Sequence, residues 1–199
     1  MPPSAIATSP SPLPGKEETP YTLSSEIITL LSRTSSTLGI AESLTSGLLM
    51  SSITSVPGAS AVFRGGVVSY ATELKECLLK VNSDLIAKEG VIHADVAAQM
   101  AQGARNVTTF EGGEKTTWGV GTTGVAGPGL QDGKAAGTVY VGISYYWGND
   151  DGKMEKVWTK GFLFKGGREE VRAQTVVEAL RALRDAILEV EGGGQLKEE

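Results

Sequence analysis

The sequence predicts a single α/β domain, a three-layer α/β/α sandwich in which helices cover both faces of a central sheet. Three observations lead to this fold class. Segments with apolar residues at helical spacing are interspersed with short apolar, β-branched runs. At 199 residues and 40% hydrophobic content, the chain is long enough for one sizeable core and short for two full domains. Its 26 glycines cluster beside apolar segments, which indicates tight turns at strand ends.

The first half of the chain predicts four helices and two strands. Each follows from apolar periodicity, with turn or cap residues at its ends. In order, they are a helix through Leu23, Ile27, Leu30 and Leu31; a short strand leading to Ala41, Glu42 and Ser43; a helix from Thr45 to the turn at Val56, Pro57 and Gly58; a strand from Val62 to Tyr70; a helix with Thr72 as its N-cap; and a short helix over 83–89.

The second half predicts a helix, three strands and a closing helix. The elements are a helix marked by Val96, Met100, Ala104 and Val107, strands near 117–122, 137–146 and 155–164, and a helix whose apolar stripe runs from Val171 to Ile187. Residues 1–20 are rich in proline and serine and read as a disordered tail, and 191–199 as a flexible one. The folded domain is therefore expected over 21–190.

Charge and cysteine content exclude several classes of function. The net charge of -5 leaves no basic excess for a nucleic-acid backbone. Cys77 is the only cysteine and His93 the only histidine, so neither an internal disulfide nor a Cys/His zinc site is expected. We interpret Cys77 as a core residue and His93 as a helix-start residue. No apolar run approaches the roughly 18 to 20 residues of a membrane span, which indicates a cytoplasmic protein without a membrane partner.

The segment from Ala41 to Gly47 places Ser43 at a strand-to-helix junction. Free backbone N–H groups and the positive end of a helix dipole converge there, so a nucleophilic hydroxyl would have donors for an oxyanion close by. The alternative is that Ser43 or Thr45 simply caps the helix, and the local pattern alone favours that alternative.

Lys75 is a candidate base. With Thr72 as the N-cap, Lys75 occupies the third helical position, where the helix dipole and apolar neighbours favour the uncharged amine. A lysine needs its pKa lowered by roughly three units to act as a base near neutral pH, and burial has to supply most of that shift. The alternative is a solvated surface lysine beside a half-buried Tyr70, which these residues alone favour.

A glycine-rich segment and two arginines are further candidates. Gly119 to Gly124 matches G-x-G-x-x-G, but a dinucleotide-binding turn needs a helix to begin inside the motif, and the residues over 125–129 break a helix. An NAD-dependent oxidoreductase is therefore disfavoured, and 121–136 is interpreted as a ligand-wrapping loop or a plain surface turn. Arg168 begins the last helix and suits a phosphate, whereas pairing with nearby glutamates explains Arg172 better.

Taken together, these segments resemble the CinA C-terminal domain family over roughly residues 21–190. Several linked motifs in the right order are more specific than any one of them. The matches are Ala41 to Gly47 with A-E-S-C-T-G-G; Val56 to Ser60, Phe63 and Gly65-Gly66 with V-P-G-S-S...F-x-G-G; Tyr70 to Lys75 with Y-S-N-E-A-K; Gly121 to Gly129 with G-I-T-G-I-A-G-P-G; and Gly137 to Tyr140 with G-T-V-Y. Leu44, Ser46 and Thr72 depart from the family's cysteine, glycine and asparagine, and Ser46 narrows backbone freedom beside Ser43.

The resemblance implies a mixed sheet and an amidohydrolase that converts nicotinamide mononucleotide and water to nicotinic acid mononucleotide and ammonia, as the PncC members of the family do. Ser43 would be the nucleophile, Lys75 the base that takes its proton, and Tyr70 a residue that orients or relays that proton. Neither a metal nor a cofactor would be needed, and the chain would form a homo-oligomer. The main alternative is a non-catalytic pyridine-nucleotide-binding module of the same fold.

The resemblance also implies a substrate-binding set. Backbone N–H groups around Thr45 to Gly47 would hold the oxyanion, the loop over 121–129 would line the nucleotide site, and Arg168 would contact the phosphate. The full set is Thr45, Ser46, Gly47, Gly66, Thr123, Gly124, Gly127 and Arg168.

Overall fold

The computed structural model describes residues 18–148 and 154–194 and contains one five-stranded sheet. The strands are β1 (Leu38–Glu42), β2 (Phe63–Val68), β3 (Trp118–Gly124), β4 (Thr138–Trp147) and β5 (Met154–Leu163), and the helices are α1 (Pro20–Arg33), α2 (Leu48–Thr54), α3 (Thr72–Cys77), α4 (Ser83–Glu89), α5 (Ala94–Val107) and α6 (Arg168–Gly194). The strand order is β2-β1-β3-β4-β5. Since β1 runs parallel to β2 and β3 while β4 runs antiparallel to β3 and β5, the sheet is mixed, as expected.

Helices cover both faces of the sheet, which confirms the three-layer α/β/α arrangement. On one face, α1, α2 and α6 pack against one another and enclose the larger core. On the other face, α5 packs across β1, β3 and β4. The alternation of side chains along β1 divides the two cores, since Ile40 belongs to the first and Ala41 to the second.

Glycines within the strands allow α5 to lie very close to the sheet. A Cβ on Gly119 would lie 2.0 Å from the carbonyl oxygen of Ala101, and one on Gly142 would lie 2.2 Å from that of Ala97. Any side chain at these positions would push α5 outwards. The interpretation of the glycine clusters as turns at strand ends is therefore wrong for Gly119 and Gly121, which lie inside β3.

The first helix begins earlier than the sequence indicated. Thr19 caps α1, Pro20 is its first residue, and the Glu18 carboxylate binds Arg181 and Arg184 of α6. Residues 18–20 thus belong to the folded domain, while the remainder of the predicted N-terminal tail, 1–17, lies outside the described residues. At the other end α6 extends to Gly194, so 191–194 are helical and 195–199 lie outside the described range.

The α3 region corrects two expectations. Ala71, not Thr72, is the N-cap, so Lys75 occupies the fourth helical position. Cys77 is exposed and not part of the core, because this six-residue helix turns Lys75 inward and leaves the cysteine on its outer side. His93 is the N-cap of α5, as predicted, and its Nδ1 accepts a hydrogen bond from the backbone of Asp95.

The described residues contain neither a membrane-spanning helix nor a cluster of metal-binding side chains. None of the helices in 18–148 and 154–194 is long and apolar enough to cross a membrane. The same residues contain no group of three or more His, Cys, Asp or Glu side chains that could hold a metal ion.

Candidate active site

An open cleft of about 190 Å³ lies beyond the carboxyl ends of β1, β2 and β3. Ser43 follows β1, Tyr70 follows β2, and Gly124 ends β3, so the parallel strands deliver these residues to one edge of the sheet. Ligands of open α/β sheets commonly bind at this edge. Lys75 of α3 and Arg168 of α6 complete the walls of the cleft.

Ser43 and Lys75 are in contact. The Lys75 Nζ lies 3.2 Å from the Ser43 Oγ, and it also donates to the backbone carbonyls of Ser69 at 2.6 Å and Tyr70 at 3.4 Å. The Lys75 side chain is only 1% exposed. The surface-lysine alternative is therefore wrong, and the carbonyls at the end of β2 hold the amine against the serine.

Burial lowers the pKa of Lys75 from 10.5 to about 8, because removal from water disfavours the charged ammonium. At pH 7 a lysine with a pKa of about 8 is neutral in about one molecule in ten, against about one in 2,500 for an unperturbed lysine. The direction of this change in the pKa and its cause, burial, are those that the sequence predicted, although the lowering is smaller than the roughly three units that were expected.

The same shift predicts that Lys75 lowers the stability of the fold at neutral pH. The unfolded chain keeps Lys75 protonated up to its ordinary pKa, so the cost of burying the charge is present in full below about pH 8 and disappears as the pH rises towards 10.5. Replacing Lys75 with methionine should raise the free energy of unfolding at pH 7 by up to about 3 kcal/mol, since one unit of pKa corresponds to about 1.4 kcal/mol. Urea unfolding of both proteins at pH 7 and pH 10 measures this difference, and a gain that is equal at the two pH values contradicts the assignment.

The turn after Ser43 is organised by the buried Glu42, which the sequence analysis missed. Its carboxylate accepts backbone N–H bonds from Gly47 at 2.9 Å, Leu49 at 3.2 Å and Met50 at 2.8 Å. These bonds satisfy the start of α2, whose N-cap is Gly47 and has no side-chain cap. Neither Ser43 nor Thr45 caps the helix, so the capping alternative is wrong and α2 begins at Leu48.

The backbone donors near Ser43 differ from those that the sequence suggested. The Ser46 N–H donates to the Ser43 carbonyl at 3.1 Å, and the Gly47 N–H donates to Glu42, so neither is available for an oxyanion. That part of the prediction is wrong, because the turn uses these groups internally. Among the described residues, the N–H groups of Leu44 and Thr45 have no hydrogen-bond acceptor. Of the two residues, Leu44 lines the cleft and Thr45 is fully buried, so the Leu44 N–H is the candidate oxyanion donor.

Ser46 fits the position that glycine holds in the family. It adopts a φ of 51°, in the left-handed region that favours glycine, and its hydroxyl donates to the Ser43 carbonyl at 3.2 Å. The added hydroxyl therefore supports the turn at the cost of some backbone strain.

Thr45, Gly66 and Thr123 do not line the cleft. Thr45 is buried with its Oγ1 at 2.9 Å from the Thr122 Oγ1, and the Thr123 hydroxyl donates to the Val91 carbonyl at 2.7 Å. A Cβ on Gly66 would lie 2.1 Å from the Ile40 carbonyl oxygen, so glycine is required there for strand packing. These residues position the walls of the cleft but do not form them.

Tyr70 and Arg168 meet across the mouth of the cleft. The Arg168 guanidinium donates to the Tyr70 hydroxyl at 2.8 Å and to the Gly127 carbonyl at 3.0 Å. Lys75 contacts the backbone carbonyl of Tyr70 and not its hydroxyl, so no hydrogen bond in the described structure supports the predicted proton relay. Tyr70 lines the cleft and its hydroxyl holds Arg168.

The segment after β3 closes the far side of the cleft. Gly119 to Gly124 forms β3 itself and no helix begins within it, so it is not a dinucleotide-binding turn. The loop predicted over 121–136 starts only at Val125, and its Gly127 has a φ of 99°.

Four residues that the sequence did not single out also line the cleft. They are Leu130 and Gln131 together with Val91 and Ile92. The sequence carried no signal for these four residues, because apolar or amide side chains in loops have no distinctive pattern.

The family model of the CinA C-terminal domain matches residues 20–187. The chain belongs to the CinA C-terminal domain family. This confirms the resemblance of the sequence motifs, and it assigns both the fold and the Ser43 segment to a CinA-type domain.

Relatives of this CinA-type chain agree with the assignment. A CinA-like protein of Frankia casuarinae is 42% identical over 158 residues, which cover 79% of this chain and 33% of the relative. A CinA-like protein of Thermosynechococcus vestitus is 38% identical over 172 residues, 84% of this chain and 38% of the relative. This chain thus spans little more than a third of the length of the curated relatives that it matches.

Solved CinA structures have the same fold over nearly their whole length. The competence/damage inducible protein CihA from Agrobacterium tumefaciens has a TM-score of 0.73 at 29% identity and covers 89% of this chain and 98% of its own. A CinA superfamily protein from Klebsiella pneumoniae has a TM-score of 0.75 at 26% identity, and the match covers 86% of this chain and 99% of that protein's chain.

Proposed function

We propose that this CinA-type chain is an amidohydrolase that deamidates nicotinamide mononucleotide, with Ser43 as the nucleophile and Lys75 as its base. The observation that carries the proposal is the buried Lys75 amine 3.2 Å from the Ser43 hydroxyl in the cleft. A lysine with a lowered pKa beside a serine is the arrangement that activates the nucleophile of Ser-Lys hydrolases.

The chemistry follows from these two groups. The Ser43 oxygen attacks the carboxamide carbon while neutral Lys75 takes the hydroxyl proton, and the carbonyl oxygen becomes an oxyanion that the Leu44 N–H can bind. The Lys75 ammonium then protonates the departing nitrogen, the C–N bond breaks and ammonia leaves. A water molecule gives a proton to Lys75 and attacks the acyl group, and the Ser43 oxygen recovers that proton as the acid departs.

Arg168 supports a phosphorylated substrate. Besides Lys75, it is the only cationic side chain among the described residues that line the cleft, and it lies at the start of α6. Two of its N–H groups bind Tyr70 and Gly127, which fixes the guanidinium while other donors remain for an anion. The Ser-Lys pair and the arginine thus bracket the cleft with a reactive end and a phosphate-binding end.

Replacing Arg168 with alanine should raise the KM for nicotinamide mononucleotide by roughly 10- to 100-fold, because a charge-assisted hydrogen bond contributes about 1.5–3 kcal/mol. The KM for nicotinamide riboside, which lacks the phosphate, should change little. Steady-state kinetics on both substrates measures the two effects, with Lys165→Ala as a control for loss of an exposed cation. Equal effects on the KM of both substrates would show that Arg168 does not bind the phosphate.

The proposal is tested by incubating the purified protein with nicotinamide mononucleotide and measuring ammonia and nicotinic acid mononucleotide. Production of both in equal amounts is the expected result. Tight binding of nicotinamide mononucleotide without release of ammonia would support the alternative, a non-catalytic pyridine-nucleotide-binding module.

A further inference from the structure

A tight hairpin turn lies in the far wall of the cleft. Gln131 and Lys134 exchange two backbone hydrogen bonds, of 3.1 and 2.8 Å, across Asp132 and Gly133. The two central residues have φ values of 50° and 70°, a conformation of two-residue hairpin turns that Asp-Gly pairs favour. Leu130 precedes the turn and Gln131 begins it, and both line the cleft. The turn therefore fixes the backbone that carries these two cleft residues.

The Asp132 side chain ties this turn to the segment that follows α4. Its Oδ2 accepts the backbone N–H of Val91 at 2.9 Å. Gly90 makes room for the contact, since a Cβ there would lie 2.8 Å from both the Cβ and the Oδ2 of Asp132. Val91 is itself held to β3, because its carbonyl accepts the Thr123 hydroxyl at 2.7 Å. The Asp132 contact thus joins two walls of the cleft, since Val91 and Leu130 both line it.

Leu130 is the most exposed large apolar side chain among the described residues, with 75% of its surface accessible to solvent. It belongs to none of the apolar clusters that those residues form. Covering such a side chain removes apolar surface from water, which favours binding of a ligand with an apolar face. The ribose and the phosphate of nicotinamide mononucleotide are polar, so the pyridine ring is the part that offers such a face.

We propose that Leu130 is a specificity-determining residue that packs against the pyridine ring of the substrate, and that Asp132 is a positioning residue that holds Leu130 there. This rests on the proposed function, since it takes the cleft as the binding site of nicotinamide mononucleotide. Ser43 and Lys75 act on the carboxamide that the ring carries, so the ring has to lie in the cleft during the reaction. Neither Leu130 nor Asp132 makes or breaks a bond, so their loss should weaken binding and leave the chemical step intact.

The experiment compares Leu130→Ala with wild type and with Leu188→Ala, which shortens an exposed leucine of α6 outside the cleft. Leu130→Ala should raise the KM for nicotinamide mononucleotide by about 5- to 20-fold, with kcat within about twofold, because apolar surface covered on binding is lost. The Kd, measured in proteins that also carry Ser43→Ala, should rise by the same factor. The inhibition constant of ribose 5-phosphate, which has no ring, should stay within about twofold. Leu188→Ala should match wild type in all four quantities.

Asp132→Gly and Asp132→Asn test the anchor. Glycine removes the acceptor but tolerates the positive φ, and it should raise the KM by about 3- to 10-fold, the order expected for loss of one hydrogen bond. Asparagine keeps an acceptor oxygen and suits the same turn, so its KM should lie within about twofold of wild type. Because Asp132 acts through Leu130, the double variant Leu130→Ala/Asp132→Gly should have a KM within about twofold of that of Leu130→Ala.

A KM within about twofold of wild type in Leu130→Ala would overturn the proposal, as would an equal loss of affinity for ribose 5-phosphate, which indicates a distorted cleft. Effects of Leu130→Ala and Asp132→Gly that multiply in the double variant would overturn the positioning role of Asp132. Binding of nicotinamide mononucleotide without release of ammonia would contradict the amidohydrolase alone, and the Kd values would still test Leu130. A wild-type protein that does not bind this nucleotide would contradict both.

Discussion

Replacing Ser43 with alanine is expected to lower ammonia release from nicotinamide mononucleotide by at least about 10⁴-fold, the order of loss seen when a hydrolase loses its nucleophile. No other hydroxyl replaces it within the described structure, because Lys75 contacts only the Ser43 side chain and the carbonyls of Ser69 and Tyr70. The alanine variant should still bind the nucleotide with a similar Kd, since the phosphate end of the cleft is intact. Turnover assays and calorimetric titration measure the two quantities.

The matched control is Ser52→Ala, which removes an exposed hydroxyl on α2 that bonds only the Leu48 carbonyl. It should retain wild-type turnover. If Ser43→Ala kept more than a few per cent of the activity, the covalent mechanism would have to be abandoned.

Replacing Lys75 with arginine keeps the positive charge and should lower kcat by about 10³- to 10⁴-fold, because guanidinium cannot accept a proton near neutral pH. In wild type, kcat/KM should rise with pH and level off above about 8, where the Lys75 amine loses its proton. The value of kcat/KM rises with pH because the neutral form of Lys75 is the active one, and more of it is present as the pH approaches the lowered pKa. The arginine variant should lose this rise.

Lys80→Arg is the control for the lysine exchange. Lys80 is exposed and donates to the Cys77 carbonyl at 2.8 Å, away from the serine. Its turnover and pH profile should match wild type. A Lys75→Arg variant with a normal rate, or a wild-type profile without a rise near pH 8, would remove Lys75 from the mechanism.

Local sequence periodicity was enough to predict most of the elements. The spacing of Leu23, Ile27 and Leu31 is a property of the helix alone, and these residues are buried in α1 as that spacing requires. Element ends were less predictable, because distant groups determine them. The start of α2 moves to Leu48 since the Glu42 carboxylate, not a serine cap, binds its first N–H groups.

The residues of the candidate site were likewise predictable where they lie in short motifs and unpredictable where distant parts of the chain meet. Short motifs identified Ser43 and Lys75, whose side chains approach each other because β1 and β2 end side by side. Arg172 of α6 donates to the Leu44 carbonyl at 3.0 Å, 128 positions away in the chain, and no local pattern links the two residues. The misplacement of Cys77 has a related cause. Its apolar neighbours suggested a core helix, but Lys75 is the buried residue of α3 and Cys77 is exposed.

The proposed mechanism requires the buried Lys75 amine to lose its proton near neutral pH, so that it can take one from Ser43. The most direct measurement is an NMR titration of the Lys75 side chain in protein labelled with ¹³C and ¹⁵N at lysine, with Lys75→Met used to assign the signal. A midpoint close to the pKa of about 8 that burial produces is the expected result. A midpoint at the ordinary lysine value of about 10.4 would rule out Lys75 as the base, because the amine would then be charged at neutral pH.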